Sequence, residues 1–320
     1  MKTYLISNEG RFYKANLHSH STVSDGKKTP EELKEIYKSA GYSVLAYSDH
    51  NRLIDHSELN DEDFLTFTSM EFDVLSDVGS SYHFKPCYHI NFFPKDPHNV
   101  TIPAFDRSYE NINGVIEAFA KSGFAAMLNH PTWSLQTMEE YKNLDTTHIF
   151  AMEIYNHCSI TEGYNEVNDH VYDQLLSRGD KLFCTATDDN HNLFPATSPV
   201  FDSLGGFVMI KANALTHKDI FDALMAGNFY ASNGPEIHEM YIEDGYLTVK
   251  TSPAAKITVT TPIRQASIAH AEQKGDTITE AKFGLSGFRS DYIRVTVTDE
   301  NGKCAWAQPI YRSVFHPDEA

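Results

Sequence analysis

Two histidines one residue apart, His18 and His20, are followed in the sequence by Asp25 and Gly26. Residues two apart on a β-strand face the same side. If Ala15 to His20 ends a strand, both imidazoles can point at one ion, and the loop from Ser21 to Gly26 can return Asp25 to the same place. A lone His-x-His also arises by chance in a chain with 16 histidines, so the rest of the chain has to decide. It supplies His50, Glu71, His89, His130 and the pair Asp189 and His191, which repeats the spacing of His18 and His20. Imidazole and carboxylate ligands suit zinc, manganese or iron. These are too many ligands for one ion and serve two or three divalent ions with positions left for water. A bridging carboxylate such as Glu71 keeps the ions close, and ions about 3.5–4 Å apart clamp the attacking and leaving oxygens of a phosphoryl transfer.

The elements that position these residues are legible as repeated strand–helix alternation. Thr29-Pro30-Glu31-Glu32 starts a helix, with a Thr cap, Pro in the first turn and carboxylates at the positive end of the dipole. Leu33, Ile36, Tyr37 and Ala40 give its apolar stripe, and Gly41 ends it. Strands are expected at 43–48, 64–69, 88–93, 124–128, 149–152, 182–187 and 206–210. Helices are expected at 109–121, 138–144, 163–178 and 218–226. This pattern favours parallel strands with covering helices. In such folds sites are built at the C-terminal ends of strands, which is where almost all the candidate ligands fall. After Gly234-Pro235 the texture changes to short alternating runs around Met240, Leu247, Ile257, Ile268 and Ile293, punctuated by Asp244-Gly245, Gly275-Asp276 and Asn301-Gly302. The expected organisation is a unit over residues 1–234 and a small antiparallel β-sandwich over 235–320.

Composition narrows the function classes. The hydrophobic fraction of 41% and charged fraction of 22% are those of a soluble globular protein. A formal net charge of −18, from 44 acidic and 26 basic side chains, argues against a nucleic-acid polymer or an anionic membrane as partner. Clustered divalent ions reverse the sign locally, so a small phosphate ester is still compatible. Cys87, Cys158, Cys184 and Cys304 form no Cys-x-x-Cys pair and read as reduced thiols. With no apolar core of signal-peptide length near Met1 and no window long enough to cross a membrane, a cytoplasmic location is expected. There is no Gly-rich phosphate loop or Gly-x-Ser-x-Gly elbow.

His18-Ser19-His20 with Asp25-Gly26, Ser48-Asp49-His50-Asn51, Glu71, Asn129-His130-Pro131 and Asp189-Asn190-His191 resemble, in order, the motifs of the PHP (polymerase and histidinol phosphatase) superfamily, over about residues 14–215. The resemblance implies an α/β fold built as a distorted seven-stranded β/α barrel. It also implies a metal centre, usually trinuclear, at the C-terminal strand ends, and hydrolysis of phosphoesters. Carried over by position, His18, His20, Glu71 and Asp189 would hold one ion. Asp25, His50 and His191, with Glu71 possible as a bridge, would hold a second, and Glu71, His89 and His130 a third. Many members have His where this chain has Asp25. His83 competes with His89, which is preferred because it lies on a strand. Glu71, Asp189 and His191 are the residues expected to act in catalysis. The segment 226–235 and the β-module after it are similar to a branch that includes carbamate-cleaving enzymes.

Other residues take supporting roles in this reading. Asp49, Glu153 and Asp188 are expected to orient or support ligands. Asn129 and Arg52 are candidates to touch substrate, with Arg107, Arg178 and Lys211 as further cations, and Trp133 and Tyr155 as possible pocket walls. The expected activity is a metal-dependent phosphoesterase acting on a small phosphate ester. A carbamate, carboxylic ester or amide hydrolase uses the same centre. A non-catalytic binding module with a vestigial metal site is the alternative of another class.

Overall fold

The computed structural model describes residues 2–77, 79 and 81–317. It is a mixed α/β fold with three sheets. The chain opens with β1 (Thr3–Tyr4), β2 (Arg11–Asn16), β3 (Val44–Tyr47) and β4 (Leu65–Thr68). β2, β3 and β4 lie side by side and parallel. The helix α1 (Pro30–Ser39) crosses between β2 and β3. It starts in a reciprocal cap: Thr29 accepts from the Glu32 amide, and the Glu32 carboxylate accepts from the Thr29 amide at 2.9 Å.

At the buried Ser69 the chain leaves this sheet. The strands β5 (Met70–Leu75), β6 (Cys87–Pro94), β7 (Phe124–Leu128), β8 (Ile149–Asn156) and β9 (Phe183–Thr187) form a second sheet in that order. β7, β8 and β9 are parallel, as expected, but β5, β6 and β7 pair antiparallel. The reading of a parallel series is corrected here. β6 follows β5 through a short excursion on the same edge, without the crossover helix that parallel pairing requires. The helix α2 (Ile112–Lys121) packs on this sheet, with Phe119 stacked on Phe92 at 3.8 Å between ring centroids. α3 is a single turn (Met138–Tyr141). The helix expected over 163–178 is shorter. α4 (His157–Thr161) and α5 (Asp169–Arg178) flank a coil in which the Glu166 carboxylate is fully buried. It accepts the backbone amides of Thr132 and Trp133 at 3.0 and 2.8 Å, and this tie holds the segment out of helical register.

β10 (Phe207–Ala212) returns antiparallel to β2, and after α6 (His217–Met225) β11 (Phe229–Ser232) pairs with β10. The remaining strands are β12 (Ile237–Glu243), β13 (Tyr246–Ala254), β14 (Lys256–Thr260), β15 (Ala266–His270), β16 (Ile278–Gly284), β17 (Tyr292–Thr298), β18 (Cys304–Trp306) and β19 (Ile310–Tyr311), before the last turn of helix, α7 (Arg312–Phe315). Asp244-Gly245 makes a two-residue hairpin between β12 and β13 with both φ positive, 51° and 76°, the geometry that favours Asp-Gly.

Strand pairing crosses position 234 twice, and side-chain bonds cross it too. β1 pairs with β12, extending the four-stranded sheet β1-β12-β13-β16. β11 pairs with β18, so one sheet runs β15-β14-β17-β18-β11-β10-β2-β3-β4, with β19 on β17. The buried Arg294 of β17 meets Asp169 and Asp173 of α5 at 2.9 and 2.8 Å, and the Gln308 side chain bonds the Cys184 backbone in both directions. Two isolated parallel bridges, Ser19 with Asn190 and His50 with Glu71, join the strand ends of the first sheet to those of the second. Among the described residues no helix is long and apolar enough to cross a membrane.

Candidate metal centre

The two bridges bring the candidate ligands together. Ser19 and Asn190 pair side by side, so the flanking His18, His20, Asp189 and His191 point to the same side of the paired backbone. The His20 amide donates to the Asn190 carbonyl at 3.0 Å, and the Asp189 amide to the His18 carbonyl at 2.9 Å. The Asp25 loop closes because Gly26 has no side chain: a Cβ there would lie 2.3 Å from the His20 carbonyl oxygen. Asp49 shapes the same loop, accepting from the Ser21 and Ser24 hydroxyls at 2.8 and 2.7 Å. Asp188 does the same on the other side, accepting from Tyr37 and from the amides of Leu204, Gly205 and Gly206. His50 follows β3 and His130 follows β7. His89 lies near the beginning of β6, because that strand runs the other way, and Glu71 lies near the beginning of β5 rather than at the end of β4.

Glu71 is at the middle of the arrangement. Its carboxylate, in a residue 1% exposed, is 3.3 Å from His18 Nε2, 3.3 Å from His20 Nε2, 3.1 Å from His50 Nδ1, 3.0 Å from His89 Nδ1 and 3.2 Å from His130 Nε2. Asp189 adds an oxygen 3.0 Å from His18 Nε2 and 2.9 Å from His20 Nε2. Asp25 approaches His191 at 3.5 Å, His20 at 3.8 Å and His50 at 3.9 Å. Among the described residues four groupings of donor atoms result, each within 4.8 Å: His18, His20, Glu71 and Asp189; His20, Asp25, His50 and His191; His50, Glu71 and His89; and, beside them, Cys158, His191 and Asp202. His130 lies outside these groupings but reaches both Glu71 and Asp189, the latter at 3.7 Å.

The donor set fits divalent cations. His18 Nδ1 faces the buried Glu153 carboxylate at 2.7 Å, so the ring proton belongs there and Nε2 carries a lone pair. That lone pair meets His20 Nε2 at 3.1 Å as well as the two carboxylates. Acceptors converging from all sides need a shared cation. Buried Nδ1 atoms of His20 and His50 make no hydrogen bond, which also suits coordination.

Without such ions, protons take their place. Burial opposes charge on His18, but Asp189, Glu71 and Glu153 outweigh it and raise its pKa well above the ordinary range. Burial likewise opposes charge on His20, but hydrogen bonds to Asp189 and Glu71 raise it from 6.5 to about 9. Glu71 and Asp189 are held well below the carboxylate range by facing imidazoles, against the effect of burial. A raised His pKa stabilises the fold fully below its unfolded value, and this is lost as pH rises through the folded value. Chelator-treated protein is therefore expected to melt at progressively lower temperature between pH 6.5 and about 9. Metal-loaded protein is expected to gain over the same interval, because bound ligands must be deprotonated. Parallel melting profiles with and without chelator would count against the ligand assignment.

The centre floors a cavity of about 400 Å³ lined by Asp25, His50, Asp73, His89, Trp133, Glu162 and Leu193 among others. Several expected residues stand elsewhere. Asn129 is 1% exposed and donates to Glu71 Oε1 at 2.7 Å and to Asn91 at 3.0 Å. It holds the central carboxylate and is not among the cavity's lining residues, its amide turned inward by these acceptors. Arg52 is exposed and lies off the cavity wall; it turns away after the left-handed Asn51, φ 54°. Arg107 is a cation near the rim, bonded to Asn51 at 2.9 Å and to Asp73. Arg178 is tied to Asp180 and to carbonyls of Tyr141 and Leu144, and Lys211 lies over the Phe12 ring. Tyr155 is buried with its hydroxyl 3.0 Å from His157, while Trp133 does line the cavity. His83 is exposed, whereas His89 is 7% exposed and meets Glu71.

Sequence reasoning missed Asp73, although it is two residues after Glu71 on the same strand face and lies 3.8 Å from His50. It also missed Asn156 and Thr187, which bond Glu153 at 2.9 and 2.6 Å; no local pattern marks them.

No family model and no curated protein sequence matches the chain. Its structure is similar to a two-domain protein from Bacteroides vulgatus ATCC 8482 that contains a predicted PHP-like metal-dependent phosphoesterase, at 14% identity and a TM-score of 0.48, covering 95% of this chain and 98% of that one. It is also similar to an amidohydrolase from Chromobacterium violaceum solved with bound sulfate and no metal, at 13% identity and a TM-score of 0.35, covering 58% and 93%.

Proposed function

We propose that the chain is a metal-dependent hydrolase, most simply a phosphoesterase acting on a small phosphate ester, working in the cytoplasm with two or three zinc, manganese or iron ions. The observation that carries the reading is the convergence of imidazole nitrogens on Glu71 and Asp189 beneath an open cavity. We read the ring of strands closed by the two bridges as the seven-stranded barrel, and residues 235–320 as an appended β-sandwich.

Bound ions would activate water and neutralise charge on the attacked group. The chain's own residues hold and orient. His18, His20, Glu71 and Asp189 form the deepest grouping; Asp25, His50 and His191 the outer one; His89 and His130 complete the Glu71 side. Glu153 fixes the His18 tautomer. His191 Nδ1 lies 2.9 Å from the Asp189 carbonyl, which leaves Nε2 for the cavity. Glu71, Asp189 and His191 are the residues we assign to catalysis.

The cavity lining favours a second reading at the same centre. A phosphate dianion is ordinarily met by Arg or Lys as well as by metal, and here the wall is acidic and apolar. A carboxylic ester, carbamate or amide suits that wall. Metal analysis of purified protein, followed by hydrolysis assays on aryl phosphates, phosphodiesters, carbamates and carboxylic esters with and without chelator, decides between the two. Metal-dependent turnover of at least one class is expected. Metal-free protein inert to all of them would sink both readings and favour the binding module.

A further inference from the structure

A second chamber of about 260 Å³ opens beside the metal centre. The two chambers share Leu75, Trp133 and Glu162 as lining, so they adjoin. The second is walled by Leu75, Trp133, Leu135 and Tyr164, with Cys87 beside them and His83, Lys85 and Glu162 as its polar lining. Leu75, Leu135 and Tyr164 are 37%, 43% and 44% exposed, a concentration of apolar surface that a soluble chain leaves open where something binds.

The wall is also built and held. Trp133 stands 5.2 Å from the His89 ring and 5.0 Å from the His130 ring, so it separates the centre from the second chamber. The Glu166 carboxylate anchors its backbone, and the indole nitrogen donates to Glu162 at 3.2 Å. Leu135 has a left-handed backbone, φ 57°. That conformation is disfavoured for leucine, and strained residues of this kind cluster at ligand sites.

We infer that this chamber is the subsite for the leaving half of the substrate, and that this half is an apolar, ring-sized or branched group. The inference rests on the hydrolase reading for its chemistry and on the chamber alone for its binding. It names the part of the substrate that is not attacked: an aryl or bulky alkyl alcohol or amine, released into the chamber on hydrolysis.

The test uses methyl, phenyl and 2-naphthyl esters of phosphate and of acetate on the metal-loaded protein, together with 2-naphthol as an unreactive probe. Expected are a kcat/KM for naphthyl over phenyl, whose leaving groups are similar in acidity, of about tenfold or more, and quenching of tryptophan fluorescence by naphthol. The chain has two tryptophans, and Trp306 is 2% exposed, so quenching reports Trp133. Leu135→Asn, which suits the left-handed backbone, and Tyr164→Ser are each expected to reduce both the preference and the quenching. Equal kcat/KM for the phenyl and naphthyl esters, or quenching unaltered in both variants, overturns the subsite. If no ester is turned over, quenching alone decides: naphthol binding that Leu135→Asn weakens sustains the subsite while the hydrolase reading fails, and no quenching overturns it.

Discussion

Glu71→Gln is expected to lose metal and activity together. The carboxylate faces His18, His20, His50, His89 and His130, all within 3.3 Å, and neither Asp189 nor Asp25 meets as many imidazoles. An amide has one acceptor oxygen where the carboxylate has two, and it carries no charge to balance the ions. Its NH₂ would also be a donor facing nitrogens and ions that need acceptors. Charge stabilisation by ions held in place is worth several kcal/mol, and each factor of ten in rate is roughly 1.4 kcal/mol. A fall in kcat/KM of about 10³-fold or more is therefore expected. Elemental analysis should show at least one ion fewer per chain. A variant that keeps its full metal content and turns over within threefold of the parent would show that Glu71 is not the central ligand.

Glu153→Gln is the second large effect, and it arises one step away from the ions. Glu153 is fully buried. One oxygen accepts from His18 Nδ1 at 2.7 Å and from Thr187 at 2.6 Å; the other accepts from the His130 amide at 2.8 Å and from Asn156 at 2.9 Å. Each oxygen meets two donors, so whichever side receives the glutamine NH₂ sets donor against donor. His18 would be freed to rotate or change tautomer. Loss of such a partner costs about 10- to 100-fold in metal affinity, and a buried polar group left unsatisfied costs about 1–3 kcal/mol of stability. Competitive metal titration and thermal melting read the two effects separately. Unchanged metal affinity in a folded Glu153→Gln protein would remove Glu153 from the support of the centre.

Much of the site was legible because its residues follow strand ends. His50, His130, Asp189 and His191 sit just beyond the strands anticipated from the apolar runs, and His18 and His20 come at the end of the strand anticipated from Ala15. A buried strand gives a clear run of Val, Leu, Ala and Met, and the next polar residue is then placed by default. Strand direction was not legible, because periodicity is the same in either sense. That is why β6 could be found but not its reversal, and why Glu71 was read as ending one strand when it begins another. Asn129 and Arg107 depended on which loops fold toward the centre, a tertiary fact with no local pattern. β16 went unread because its inward residues are only Ala281 and Phe283, too few for an alternating signal.

The pairing of β11 with both β10 and β18 bears on what the C-terminal strands are for. Phe229, Tyr230, Ala231 and Ser232 are each 1% exposed or less. Cutting the chain after Ser232 would leave this strand as a raw margin, with backbone donors and acceptors bared on an apolar surface, the kind of margin at which chains stick to one another. The later strands act as a selvedge that finishes the cloth. A shortened chain carrying every proposed ligand would still lack its finished border, and the two halves are bound to come undone together.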